Sequence, residues 1–95
     1  MDIAGITESD DAYHIRIEAP GYSKDNIDIE VDKDNIIHIS GVRNLEKEEK
    51  HNNLFQERQQ ADFHKSFMLL KAIQHDAIIA TCNDGVLQIY IPKII

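Results

Sequence analysis

The sequence predicts an all-β fold in which antiparallel strands, about seven or eight of them, form a two-sheet sandwich. Apolar residues recur at every second position in several short stretches, and no stretch has the periodicity of a long helix. Asp, Asn, Gly and Pro separate these stretches at short intervals. Because the chain has 95 residues, we expect one single domain spanning residues 1–95.

The first half of the chain predicts four strands. Ile3 to Ser9 is a candidate short edge strand, and Tyr13 to Ile17 alternates apolar and polar residues until Pro20-Gly21 ends it. Ile27 to Val31 is the clearest alternating strand, and Ile36 to Ile39 returns after a polar turn. The three alternating strands are interpreted as a meander.

The second half begins with a long polar segment. Residues 44–50 carry mixed charges and too little apolar surface to fold alone, which favours a solvated loop or short helix. Phe55 to Gln60 is a candidate small strand, and Phe63 to Leu70 alternates again. Phe63, Phe67 and Leu87 have the spacing of core residues in a sandwich.

A β-hairpin closes the chain. Ile78 to Cys82 and Val86 to Ile91 alternate on either side of Asp84-Gly85, a pair that tolerates the positive φ angles of a type I′ turn. A β-branched residue at Gly85 would resist this conformation and disturb the strand pairing.

Three segments resemble the α-crystallin domain of small heat-shock proteins. Ala80-x-x-x-x-Gly85-Val86-Leu87 resembles the signature near the end of that domain, and residues 10–27, with Pro20-Gly21, resemble its first strand pair and turn. Residues 39–43 resemble the segment that leads into its long loop. The resemblance implies an immunoglobulin-like antiparallel β-sandwich, with residues 44–60 as the long dimerisation loop of the bacterial and plant branch.

The same resemblance implies two contact surfaces. One is a groove for an Ile-x-Ile segment of another subunit, here flanked by Ile27, Ile29, Ile78 and Ala80, although these side chains could equally fill the core. The other is a homodimer formed by strand exchange, in which residues 55–59 meet residues 3–8 of the partner. Its candidate contacts are Ile3, Phe55, Arg58 and Lys65.

Two departures from the family pattern limit these expectations. Lys65 stands where the family has an arginine, so the charge is kept but the planar bidentate fork is lost. No extension with an Ile-x-Ile motif follows Pro92-Lys93, so we expect the N-terminal arm and C-terminal extension to be short or absent and the assembly to be a dimer at most.

The charge and the residue types disfavour several classes of function. A net charge of −7 disfavours nucleic acid as a partner. One cysteine, Cys82, rules out an internal disulfide and favours the cytoplasm, and no apolar run is long enough for a membrane span. No phosphate-binding loop or catalytic set is recognisable, so neither an enzyme nor a cofactor is expected.

The five histidines do not form a known metal motif. His14, His38 and His64 lie on predicted strands, where two of them can meet across a sheet, but their spacing matches no metal site. They are interpreted as partly exposed strand residues, and no metal is predicted. Cys82 is interpreted as a small core residue.

The predicted function is that of an ATP-independent chaperone, a holdase that binds partly unfolded client proteins and limits their aggregation. The alternative is a CS-type β-sandwich cochaperone or adaptor that docks on one folded partner. That module lacks the long charged loop and the Gly-Val-Leu signature. A monomer with a defined partner would favour it, whereas a dimer that protects unrelated clients would favour the holdase.

Overall fold

The computed structural model describes residues 4–42 and 62–95, which form seven strands in two antiparallel sheets. The prediction of an all-β antiparallel sandwich is therefore confirmed. Within these ranges two single 3₁₀ turns, Lys24–Asn26 and His75–Ala77, occur between strands. The strands are β1 (Ala4–Glu8), β2 (Ala12–Glu18), β3 (Ile27–Val31), β4 (Ile36–Gly41), β5 (Phe63–Met68), β6 (Ile79–Asn83) and β7 (Val86–Pro92).

The two sheets have the strand orders β1-β2-β7-β6 and β3-β4-β5. The predicted meander is wrong at its first step, because β2 and β3 belong to different sheets. Pro20 has no N–H for a sheet hydrogen bond, and Tyr22 N donates to Ala19 O at 3.2 Å around a reverse turn in which Gly21 has φ 89°. The turn therefore carries the chain from one sheet to the other.

The core lies between the facing sheets. Alternate residues of β2 and β7 pair across the first sheet, with Ile15 opposite Ile89 and Ile17 opposite Leu87, and all four side chains are fully buried. Ile37 and Ile39 of β4 are also fully buried and cover them from the second sheet. Isoleucine suits this role because its branched side chain fills the surface between adjacent pleated strands. Phe63 and Leu87 are buried as predicted, and Phe67 is half-buried.

The turn between β6 and β7 is the predicted two-residue hairpin. Asn83 pairs with Val86, and Asp84 and Gly85 have φ angles of 53° and 78°, as a type I′ turn requires. The carbonyl of Gly85 also accepts a hydrogen bond from Ala19 N at 2.7 Å, which ties the hairpin to the end of β2.

Gly85→Val is expected to lower the free energy of unfolding by about 2 kcal/mol. A Cβ at this position would be strained by the positive φ and would lie 3.2 Å from the backbone Cα of Pro20. Urea unfolding followed by circular dichroism measures the change. Gly85→Asn is the control, since asparagine tolerates the left-handed conformation better; equal losses for both variants would contradict a conformational cause.

A buried lysine anchors the end of β7. Lys93 Nζ donates to Glu8 Oε2 and to the carbonyl of Ser9, both at 2.6 Å, and lies 5.0 Å from the centroid of the Tyr13 ring. The lysine side chain is only 8% exposed, so these contacts replace its hydration. They join the C-terminal strand to the β1–β2 turn.

A glycine at the end of β4 makes room for an aromatic ring. Gly41 pairs with Phe63 of β5, and a Cβ on Gly41 would lie 2.7 Å from Phe63 Cζ. The Phe63 ring in turn meets the Tyr22 ring edge-on, at a centroid distance of 5.1 Å. The Phe63 ring therefore occupies the space that a side chain at position 41 would fill.

Candidate functional site

The strongest candidate site consists of the core-facing apolar residues of β3 and β6. Each strand lies at one end of its sheet, and alternate apolar side chains of each strand face inward, where they pack against the buried core but stay partly exposed. The structure places the predicted groove residues Ile27 and Ile29 on β3, Ala80 on β6 and Ile78 just before β6, all partly buried; Val31 and Cys82 pack against the core in the same way. We call this surface the β3/β6 groove; its apolar residues are Ile27, Ile29, Val31, Ile78, Ala80 and Cys82.

A side-chain contact links the end of β6 to the segment that precedes β3. The Cys82 thiol donates to the carbonyl of Tyr22 at 3.6 Å, which joins the end of β6 to the segment leading into β3. Cys82 is half-buried, so its side chain packs against the core and also lines the groove. The sequence interpretation captured only the first of these roles, since alternation identifies an inward face but not its distance from the sheet edge.

The edges of both strands carry backbone groups suited to strand addition. Within residues 4–42 and 62–95, β3 is paired only with β4 and β6 only with β7. An edge strand presents a row of N–H and C=O groups to which an extended peptide can add, while apolar side chains beside the edge supply contact area. The arrangement can therefore hold an extended apolar segment.

The predicted dimer contacts lie only partly within the described residues. Ile3, Phe55 and Arg58 lie outside them. Lys65 is in β5 opposite Ile39 and is half-buried. Strand β1 lies at the end of its sheet, as predicted for an edge strand, and its Ile6 is 37% exposed.

Two of the histidines meet across β4 and β5. His38 Nδ1 lies 3.1 Å from His64 Nε2, and His38 Nε2 lies 2.9 Å from Asp32 Oδ2. The hydrogen bond from His38, together with those from the backbone N–H groups of Ile36 and Asp34, lowers the pKa of Asp32. The carboxylate form therefore accepts these bonds at neutral pH. His14 lies on the other sheet.

The described part of the chain contains neither a cluster of metal ligands nor a membrane-spanning helix. It holds no group of three or more His, Cys, Asp or Glu side chains placed to bind a metal ion. Its helical segments are single 3₁₀ turns, and none is long and apolar enough to cross a membrane.

Comparison with known proteins identifies relatives over almost the entire chain. The model of the Hsp20/alpha crystallin family matches residues 5–95. The chain is 38% identical to Small heat shock protein C4 of Rickettsia felis over 89 residues, which cover 93% of this chain and 54% of that protein. It is 33% identical to the 17.7 kDa class II heat shock protein of Arabidopsis thaliana, covering 96% of this chain and 60% of the relative. The chain thus spans little more than half the length of these curated relatives.

Solved structures have the same fold. The small heat-shock protein of Xylella fastidiosa aligns with a TM-score of 0.69 at 31% identity, covering 96% of this chain and 84% of that one. HspA of Xanthomonas axonopodis aligns with a TM-score of 0.70 at 29% identity, covering 96% and 91%. The matching family model, the identity to two relatives and the shared sandwich lead to one conclusion: the chain belongs to the Hsp20/alpha crystallin family of small heat-shock proteins.

Proposed function

We propose that this chain is the client-binding domain of an ATP-independent holdase. The observation that carries the proposal is that β3 and β6 each lie at the end of a sheet and have inward apolar side chains that pack against the core yet stay partly exposed. Partly unfolded proteins expose complementary features, namely apolar segments and unpaired strand edges. Membership in the Hsp20/alpha crystallin family supports a chaperone role. Passive capture of this kind requires no nucleotide, because binding alone lowers the concentration of aggregating species.

The groove can hold a client segment by two kinds of contact. The edge of β3 or β6 adds the segment as a further strand through backbone hydrogen bonds, which are independent of client sequence. Ile29 and Ala80 then contact apolar client side chains, and burying one such side chain contributes about 1.5–3 kcal/mol. Low sequence specificity with useful affinity is what a holdase for many clients needs.

The test is the aggregation of two unrelated heat-destabilised clients, followed by light scattering without nucleotide. We expect the full chain to suppress both, and Ile29→Gln to weaken client binding by about tenfold, because roughly 1.4 kcal/mol of apolar contact is lost. Ile79→Gln is the matched control. Ile79 is on β6 but faces outward and is 58% exposed, so this variant should act like the parent chain.

Two outcomes would count against the holdase. If the Ile29 and Ile79 variants weaken client binding equally, the groove is not the client-binding surface. A folded chain that suppresses neither client, yet binds one folded partner tightly, would favour the CS-type adaptor.

We further propose a homodimer formed by strand exchange, in which residues 55–59 of one subunit pair with β1 of its partner. Among the described strands β1 lies at the end of its sheet and pairs only with β2, which supports this pairing. Light scattering gives the solution mass of the full chain and of a variant lacking residues 44–60. The proposal predicts a dimer that becomes a folded monomer on deletion. A full chain that is monomeric at high concentration contradicts it.

The proposal also covers the cellular compartment of the protein and the extent of its domain. A single free thiol, Cys82, is consistent with a reducing compartment, and we assign the activity to the cytoplasm. We treat residues 1–95 as a single α-crystallin domain.

A further inference from the structure

The outer face of the β3-β4-β5 sheet carries an ordered chain of three polar side chains. Asp32 Oδ1 accepts the backbone N–H groups of Asp34 and Ile36, at 2.8 and 3.0 Å, which fixes its carboxylate in the β3–β4 turn. Its second oxygen lies 2.9 Å from His38 Nε2, and His38 Nδ1 lies 3.1 Å from His64 Nε2. These contacts thus join the turn, β4 and β5.

The fixed carboxylate determines which nitrogen of His38 carries a proton. A carboxylate accepts hydrogen bonds, so His38 Nε2 holds a hydrogen and donates it to Asp32. In the neutral ring His38 Nδ1 is then unprotonated, and its lone pair faces His64. Many metal-binding histidines likewise donate the N–H of their second ring nitrogen to a carboxylate, which fixes the orientation of the ring.

We propose that His38 Nδ1 and His64 Nε2 together bind a divalent transition-metal ion, with Asp32 orienting His38 from behind. Imidazole nitrogens bind such ions at about 2.0–2.1 Å, so two nitrogens 3.1 Å apart subtend an angle of about 100° at a shared ion. That angle suits adjacent positions in tetrahedral or square geometry. To bind the ion through Nε2, the neutral His64 ring adopts the tautomer that carries its hydrogen on Nδ1, so no net proton is released.

The surroundings favour a cation with open coordination positions. The His38 side chain is 35% exposed and His64 is exposed, so water can complete the coordination. Asp28 and Glu30 of β3 are exposed on the same outer face, where Glu30 pairs with His38 and Asp28 lies opposite Ser40. Their charges raise the local cation concentration. Two imidazoles select Zn²⁺, Ni²⁺ or Cu²⁺ over Ca²⁺ and Mg²⁺, which prefer oxygen ligands.

Binding at this position would cross-link two strands. His38 and His64 belong to adjacent strands, and Asp32 holds the turn that precedes β4. An ion that binds the folded chain and not the unfolded one stabilises the fold in proportion to the logarithm of its concentration over Kd. The site is separate from the β3/β6 groove, so this inference does not depend on the holdase proposal.

The experiment is calorimetric titration of the metal-free full chain with Zn²⁺ and with Ni²⁺. We expect one ion per chain, with affinity at least tenfold weaker in His38→Gln and in His64→Gln, and roughly tenfold weaker in Asp32→Asn because the orienting bond is lost. His14→Gln is the matched control, a strand histidine of the other sheet whose loss should leave affinity unchanged. Ca²⁺ should not bind.

The thermal unfolding midpoint supplies an independent readout. Zn²⁺ should raise it in the parent chain and in His14→Gln but not in His64→Gln, whose substitution lies on the exposed face of β5 and leaves the core intact. The proposal is overturned if the parent chain binds neither ion below about 1 mM. It is equally overturned if both histidine variants bind as tightly as the parent.

Discussion

Gly41→Val is expected to lower the free energy of unfolding by about 3–4 kcal/mol, the largest effect of any single change considered for this domain. A Cβ at this position overlaps the Phe63 ring, with Cζ at 2.7 Å. The ring cannot simply turn away, because the Tyr22 ring packs against it edge-on and Tyr22 Oη donates to Asp62 Oδ2 at 3.1 Å. Overpacking at this point therefore strains β4, β5 and the segment after Pro20 together.

Urea unfolding of the parent chain, Gly41→Val and Gly5→Val measures this effect. Gly5 is the matched control, since it also lies in a strand but a Cβ added to it would meet no atom within 4 Å, so valine there should be neutral or slightly stabilising. In addition, Phe63→Leu should partly rescue Gly41→Ala, because the shorter side chain vacates the space. Additive losses in that pair would refute the steric explanation.

Lys93→Ala is expected to cost about 3 kcal/mol. The substitution removes a charge-assisted bond to Glu8 and leaves the Ser9 carbonyl without its donor. It also removes the ammonium that lies over the Tyr13 ring, together with the buried aliphatic stem. Glu8 is about half exposed and recovers hydration, which limits the loss.

Thermal and urea unfolding of Lys93→Ala and Arg16→Ala test this estimate. Arg16 is the control, because its ion pair with Glu18 spans 3.5 Å and both side chains are about half exposed, so its removal should cost less than about 1 kcal/mol. Lys93→Met separates the two causes, since it keeps the stem and loses the charge. A Lys93→Ala variant as stable as Arg16→Ala would contradict a stabilising role for the contacts of the buried Lys93 side chain.

Local features of the fold could be predicted from the sequence. The Asp84-Gly85 turn is set by two adjacent residues that tolerate positive φ, and the strand faces of β2, β3 and β7 follow from alternation at short range. The sheet to which each strand belongs could not be predicted in the same way. Alternation fixes a buried face but not a partner strand, so the turn at Pro20-Gly21 was compatible with a hairpin and with the observed crossover.

The residues of the candidate site could be predicted from the sequence to a similar extent. Ile27, Ile29, Ile78 and Ala80 have the inward positions that alternation predicts. Their partial exposure depends on β3 and β6 lying at sheet ends, which is a property of the whole topology. The burial of Lys93 has a comparable cause, because its partner Glu8 is 85 residues away in the sequence. The contact of His38 with His64 likewise requires the register of β4 against β5.

Hydrogen–deuterium exchange of the full chain, alone and with a heat-destabilised client held in solution, tests most directly whether clients bind along the β3/β6 groove. Binding there predicts slower amide exchange in Ile27–Val31 and Ile79–Asn83 when client is present. Little change is expected in the central strand β2, which is already paired on both sides. Protection confined to β1 and β5, with none in β3 or β6, would contradict client binding in the groove.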